Sequence, residues 1–264
     1  KKVQQYAEMG HNLRFKSYNM PNEDYSEYSR KRNEMSGQIR RIQDEVRKVK
    51  QATDENPFEE CGAVDLQTAI QIVSSGSPRK DIFIKEEILQ KSESWAILID
   101  SSLSLKMLNS DVKSIAVCLA EVANEMLSRQ DSWGLFSFND TYQIIKDFKE
   151  PYSNYSRAKI GGLQHRGLSF LPDAIELTSK ALAKTTEDIK LLLIITDGIP
   201  IGYGEINEKF IKSLEIANKS NLNPIIIGVG TDVKGLLKAS FSVENTFDMM
   251  KKFVKVYQEV QSFT

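Results

Sequence analysis

Five oxygen-bearing side chains carry the most specific chemistry in this sequence. Asp100, Ser102 and Ser104 alternate at the end of the apolar run Trp95-Ala96-Ile97-Leu98-Ile99. Residues two apart in an extended segment send their side chains the same way, so one carboxylate and two hydroxyls face one crevice. A second apolar run, Lys190 to Ile195, leads into Thr196-Asp197-Gly198 and brings another carboxylate. Between the two, Gly161-Gly162 and then Gly167-Leu168-Ser169 stand just ahead of a helical stretch, and this loop can deliver a third hydroxyl. Two carboxylates and three hydroxyls make an all-oxygen ligand set. With no Cys or His in it, the set argues against zinc or copper and for a hard cation, Mg²⁺ or else Mn²⁺ or Ca²⁺. Such an ion takes about six oxygens, so a position stays open for an oxygen from outside. Ser169 also has an ordinary reading, as the N-cap of the helix that follows it.

Competing catalytic patterns are weak. His11 and His165 are the only histidines, and no Ser–His–Asp order or spacing suggests a triad. Gly228-Val229-Gly230 follows a strand, but Val233 stands where a dinucleotide loop needs its third glycine, so a tight turn is expected. No P-loop is present, so ATP hydrolysis would have to come from another subunit. Metal-assisted phosphate hydrolysis usually needs two metals or a positioned base, and ligands for one metal are visible. The expectation is a binding site and not an enzyme.

These side chains need a scaffold that gathers the ends of distant strands. From Ser94 onward strands alternate with helices. Trp95 to Ile99, Trp133 to Phe138, Lys190 to Ile195 and Pro224 to Val229 read as strands. Asp111 to Arg129, Leu171 to Lys184, Glu205 to Ser220 and Thr246 to Gln261 read as helices. Asn139-Asp140 turns into a hairpin partner over Thr141 to Phe148, and Ser240 to Glu244 suits one more short strand. This is the pattern of an α/β fold, a Rossmann-like open and mostly parallel sheet with helices on both faces. Ligands of such sheets bind at the carboxyl ends of the strands, where strand order reverses.

Residues 1–92 differ in character and are expected to form a helical N-terminal extension, with the α/β domain over 93–264. Met35, Ile39, Ile42, Val46 and Val49 are spaced 4, 3, 4, 3 and form one apolar seam on a helix reaching from Tyr25 to about Gln51. The seam suits either packing within this chain or a partner subunit. Asn56, Pro57 and Gly62 mark a break. A short helix is expected from the N-cap Asp65 to Val73, then a break at Ser74 to Pro78 and an edge strand over Asp81 to Lys85.

The bulk numbers narrow the partners. The 264 residues hold 35 basic and 36 acidic side chains, a formal charge of −1, which gives no electrostatic footprint for nucleic acid or an anionic membrane. No stretch of about 18 apolar residues suggests a membrane span. Cys61 and Cys118 are too few for a disulfide framework, and a buried free thiol in a cytoplasmic setting is expected.

Asp100-x-Ser102-x-Ser104, Gly167-Leu168-Ser169 and Thr196-Asp197-Gly198 together resemble the metal-ion-dependent adhesion site of von Willebrand factor A (VWA) domains. The resemblance covers roughly residues 93–261. Ser169 stands where the family usually has Thr. The resemblance implies that the open metal position takes a Glu or Asp carboxylate from a partner protein. Gly62-Ala63-Val64-Asp65-Leu66 to Ser75-Gly76-Ser77-Pro78, then Ile82-Phe83-Ile84, behind a charged helix with Arg40 and Arg41, is similar to VWA proteins of the nitric oxide reductase activation (NorD) and cobalt-chelatase (CobT) type. That branch implies an adaptor for a MoxR-type AAA+ ATPase, acting in metal insertion or remodelling of a client enzyme. Residues 80–92 lack the arginine density of that branch, and the segment from Gly235 to Thr264 departs from it. The alternative is a cell-surface adhesion VWA protein binding an acidic ligand.

Overall fold

A computed structural model of the chain describes residues 1–54, 63–64, 70, 74–75, 83–84, 92–127, 129–198, 206–233, 237, 239–243 and 246–263. In chain order these form α1 (Lys2–Met9), β1 (Tyr18–Asn19), α2 (Tyr25–Glu34), α3 (Ser36–Asp54), β2 (Ala63–Val64), β3 (Phe83–Ile84) and β4 (Glu93–Asp100). A 3₁₀ turn (Leu103–Leu108) leads into α4 (Asn109–Met126), β5 (Trp133–Phe138), β6 (Tyr142–Lys146), α5 (Asn154–Gly161) and α6 (Leu171–Leu182). The last elements are β7 (Ile189–Thr196), α7 (Ile206–Lys219), β8 (Leu222–Val229), β9 (Ser240–Val243) and α8 (Thr246–Phe263).

The main sheet has the strand order β1-β6-β5-β4-β7-β8-β9. β4 pairs in parallel with β5 on one side and β7 on the other, and only the β5–β6 hairpin is antiparallel. The chain builds outward from β4 through β5 and β6, then returns to β4 and builds the other way through β7, β8 and β9. Strand order therefore reverses between β4 and β7, and the crevice at their carboxyl ends is where ligands of such sheets bind.

Alternation along the strands divides the core. Trp95, Ile97 and Ile99 face one hydrophobic cluster, shared with α3, α4 and α8. Ala96 and Leu98 face the other, shared with α1, α6 and α7. Both faces of β4 are covered, which is why its eight residues are all buried and Trp95 to Ile99 run apolar without a break. Cys118 is buried on α4 as a free thiol, pushed up to about 12 by that burial.

The apolar seam of residues 35–49 belongs to this core. Ile42 and Val46 are fully buried, and Met35, Ile39 and Val49 nearly so. They pack with α4 and α8, which is the intrachain alternative. Two helices stand where one was expected, α2 and α3, separated at Met35 just before Ser36-Gly37. The N-terminal segment reaches the second face too. Tyr6 of α1 is buried among Phe136 and Tyr142, and β1 extends the sheet beside β6.

Two buried glutamates tie the N-terminal helices to the α/β elements. Glu121 of α4 accepts from Tyr28 Oη and, at 3.0 Å, from Arg32 Nε. Glu93, opening β4, accepts from Trp95 Nε1 and Tyr257 Oη at 3.0 and 2.8 Å and bridges Lys50 at 3.1 Å. The edge strand expected at 81–85 falls at Phe83–Ile84, where it pairs antiparallel with Ala63–Val64 in a separate two-stranded sheet. The short helix expected over 65–73 lies largely outside the described residues, as does Cys61.

Candidate metal site

The site forms where β4 and β7 end. Asp100 has the parity of Ala96 and Leu98, so its side chain projects toward the face covered by α6, the helix that Ser169 precedes. Thr196 has the parity of Leu192 and Ile194 and faces the same way. Ile99 is paired with Ile195, which sets Asp100 beside Thr196.

The hydrogen bonds follow from that placement. Asp100 is fully buried. Its Oδ1 accepts from the Ser102 amide at 2.9 Å. Its Oδ2 accepts from Ser169 Oγ at 2.8 Å and from Thr196 Oγ1 at 2.9 Å. Ser102 Oγ and Ser104 Oγ lie 3.0 Å apart, with Ser102 buried and Ser104 exposed to solvent. Asp197 is half-buried just beyond the end of β7, and its charge acts on Asp100. The structure thus gathers Asp100, Ser102, Ser104, Ser169 and Asp197 at one edge of the sheet. Ser169 does not cap α6: the N-cap position is Phe170, with no side-chain cap, and the serine hydroxyl turns to Asp100.

Backbone geometry holds the three loops together. The Leu103 amide donates to Gly167 O at 3.1 Å, and the Arg166 amide donates to Ser101 O at 2.9 Å. Gly167 has φ +70, and a β-carbon there would stand 2.6 Å from Asp140 Oδ1. Both the left-handed backbone and the tight approach require glycine. Gly161 and Gly162 do a different job from the loop role expected of them. They let α5 approach the backbone at Asn22 and Asp24, where a β-carbon would come within 2.0 Å of a carbonyl oxygen.

Burial pushes the Asp100 carboxyl up to about 6. Hydrogen bonds from Ser102 and Ser169 oppose this rise, and the Asp197 charge adds to it. A buried carboxylate ordinarily pairs with a cation. Among the described residues no Lys, Arg or His is paired with Asp100; its partners are hydroxyls and one amide. The donor set is entirely oxygen, with a second carboxylate beside it, which fits a hard divalent cation and leaves nothing for a soft one.

Thr196 joins the candidate site although sequence spacing did not single it out as a ligand. Its hydroxyl orients the same carboxylate oxygen as Ser169, and the signal for it is the β4–β7 register. His165 lies in the middle loop. Burial, and secondarily the Lys113 charge, lower it to about 4, and neither ring nitrogen has a hydrogen-bond partner among the described residues. It is therefore neutral at pH 7 and is not coupled to a serine.

At the level of sequence, no family model and no curated protein matches the chain. Solved structures do. The vWF domain of the type V pili tip protein Mfa5 from Porphyromonas gingivalis aligns with TM-score 0.50 and 11% identity, over 66% of this chain and 96% of that one. The pilus adhesin SpaC from Lactobacillus rhamnosus GG aligns with TM-score 0.48 and 12% identity over 65% of this chain, which spans only 31% of SpaC. An aerotolerance-related membrane protein from Bacteroides fragilis aligns with TM-score 0.45 and 16% identity, over 65% of this chain and 99% of that one. Strand order, the reversal at β4 and β7, and the match to the Mfa5 domain together establish that this chain has the VWA fold.

Proposed function

We propose that the chain is a non-enzymatic protein-interaction module whose site holds one divalent cation and, through it, grips a Glu or Asp carboxylate on a partner protein. The observation that carries this reading is the fully buried Asp100 carboxylate, ringed by hydroxyls and paired with no cationic side chain among the described residues. Asp100, Ser102, Ser104, Ser169 and Asp197 would hold the ion, and Mg²⁺, Mn²⁺ and Ca²⁺ all suit such oxygens. When bound, the cation supplies a positively charged point for an anionic oxygen. The protein's part is to orient it: Ser169 and Thr196 fix the Asp100 carboxylate, and the exposed Ser104 marks the side open to solvent.

A ligand that binds only the folded state stabilises it by RT ln(1 + [L]/Kd), about 2.7 kcal/mol at a hundredfold excess over Kd. EDTA-treated protein is therefore expected to melt several degrees lower than protein in millimolar Mg²⁺, with full recovery on adding the metal back. Identical melting curves in the two conditions overturn the metal reading.

The same carboxylate sets a pH dependence. The folded-state value of Asp100, about 6, lies above its usual 3.8. The ionised form is thus disfavoured by folding, and metal-free protein loses stability as pH climbs from about 4 through about 6. Protons and metal compete for this group. Apparent Mg²⁺ affinity is expected to fall about tenfold between pH 7.5 and pH 5, read by calorimetric titration at each pH. Because among the described residues no general base is coupled to a nucleophile, incubation with p-nitrophenyl phosphate and Mg²⁺ or Mn²⁺ is expected to release no product above buffer.

Arg40, Arg41, Asp44, Arg47 and Lys48 stand on the solvent side of α3 and supply a second contact face. This suits an adaptor between a MoxR-type AAA+ ATPase and a client enzyme in the cytoplasm. No described helix is long and apolar enough to cross a membrane. A second reading, adhesion to an acidic ligand at a cell surface, takes support from the Mfa5 domain belonging to a pilus tip protein. Mg²⁺-dependent capture from cell extract, with Asp100→Asn as control, separates them by whether an ATPase or a surface component is retained.

A further inference from the structure

The rim of the candidate metal site is apolar where packing does not require it. Large hydrophobic side chains left exposed singly are ordinary, but a contiguous group marks an interaction surface. Three of those exposed among the described residues flank this site: Leu103 at 56%, Met107 at 92% and Leu168 at 49%. Leu103 directly follows Ser102, and Leu168 directly precedes Ser169. The Leu103 amide to Gly167 carbonyl bond of 3.1 Å holds these two stretches side by side. Met107 belongs to the 3₁₀ turn that starts at Leu103. In that geometry residues three apart eclipse one another, so Met107 projects from the same side of the turn as Ser104.

The inward positions of this turn are already used. Leu105 is fully buried, and Leu108 packs where a β-carbon on Gly230 would meet it at 2.6 Å. Leu103 and Met107 are therefore not needed for the core. The charged groups on the same loops are basic: Lys106 and Arg166 are both exposed. Asp140, which faces Gly167, is already bridged to Lys16 at 2.7 Å. The rim thus sets a collar of exposed apolar side chains and two basic ones beside the Asp197 carboxylate, which would face the ion.

We infer that the partner presents its Glu or Asp side chain flanked by large apolar residues, which seat on Leu103, Met107 and Leu168 while the carboxylate enters the metal site. This rests on the metal-dependent reading above and names the kind of sequence that reading captures. A phosphate or a sugar would bring polar neighbours and leave the collar wet. An acidic, leucine- or phenylalanine-flanked loop covers it, and burying apolar area at about 25 cal/mol per Å² adds to what one carboxylate can supply.

The test uses fluorescent synthetic nonapeptides against the full chain. One has a central Glu flanked by Leu, one a central Glu flanked by Ser, and one a central Gln flanked by Leu, each titrated in Mg²⁺ and in EDTA. The Leu-flanked Glu peptide is expected to bind at least about tenfold more tightly than the other two, and only with Mg²⁺. The combined variant Leu103→Ser/Met107→Ser/Leu168→Ser is expected to erase the preference over Ser flanks while keeping the Mg²⁺-induced rise in melting temperature. Mg²⁺-dependent binding of Glu peptides with no preference for Leu flanks overturns this inference and leaves the metal reading standing. A flank preference that persists in EDTA and in Asp100→Asn overturns the metal reading and the inference with it. Binding of none of the peptides at millimolar concentration also overturns the inference.

Discussion

Asparagine in place of Asp100 is expected to abolish the Mg²⁺-dependent gain in melting temperature and all metal-dependent partner capture, while the metal-free fold stays intact. The side chains have the same shape, so the argument turns on charge and hydrogen bonding. Asp100 Oδ2 receives the Ser169 and Thr196 hydroxyls, and an amide oxygen can receive both. The amide nitrogen then faces the Ser102 N–H, and one hydrogen bond of about 1 kcal/mol is lost. Against this, asparagine removes a buried charge whose cost at pH 7.5 is on the order of 3 kcal/mol for a carboxyl raised to about 6. Metal-free Asp100→Asn protein should therefore melt no lower than metal-free wild type. Its Mg²⁺ affinity should fall at least about 100-fold, since even groups one step removed from a metal cost 10–100-fold when lost. Calorimetric titration and thermal melts, each with Mg²⁺ and with EDTA, read the two effects separately. A variant that still gains stability from Mg²⁺ removes Asp100 from the site.

The parts of this site that sequence revealed, and the parts it hid, have separate physical causes. β4 and β7 are buried on both faces, so each is a long apolar run that ends abruptly at a polar residue. That abruptness exposes Asp100 and Asp197. Ser102 and Ser104 are visible because period two in an extended loop puts them on the side of Asp100. Thr196 is hidden because its role depends on which residue of β4 it stands beside, and register between strands about 100 residues apart leaves no mark in either strand alone. Ser169 is ambiguous in sequence, since a serine ahead of a helix also suits an N-cap, and only the direction of its hydroxyl decides.

The N-terminal elements are obscure for a different reason. α1 places one fully buried side chain, Tyr6, into the core, and β1 is two residues long, so neither makes a period. α5 ends in glycines that serve close backbone approach to the segment before α2, which in sequence look like loop. The helix read as continuous from Tyr25 divides at Met35, the C-cap of α2, and restarts at Ser36-Gly37, where helix propensity is low but the apolar seam continues.

Shortening the chain to residues 93–264 is expected to yield protein that lacks cooperative unfolding, even though every candidate metal ligand is retained. The α/β segment resembles a complete VWA domain, but here its two helical faces are finished by residues 1–54. Tyr6, Tyr28, Met35, Ile39, Ile42, Val46 and Val49 are all buried, and at roughly 1.5–3 kcal/mol each their burial is worth roughly 10–20 kcal/mol. Before the entropy of ordering those residues is subtracted, that gross gain is of the same order as the usual 5–15 kcal/mol net stability of a domain. Truncation also removes Arg32 and Lys50, which leaves Glu93 without the cation it bridges and Glu121 with Arg157 alone.

The expected product binds a hydrophobic dye, loses near-ultraviolet circular dichroism and shows no Mg²⁺ response. Ile42→Ala in the full chain probes the same contact gently. It should cost about 2–5 kcal/mol, seen as a lower melting temperature with Mg²⁺ affinity unchanged, because Ile42 lies in α3, away from the carboxyl ends of β4 and β7. A truncated chain that melts cooperatively within a few degrees of the full chain, with its Mg²⁺ response intact, would make the N-terminal helices an appendage. Loss of the Mg²⁺ response together with cooperative melting makes residues 1–54 part of the domain that builds the site.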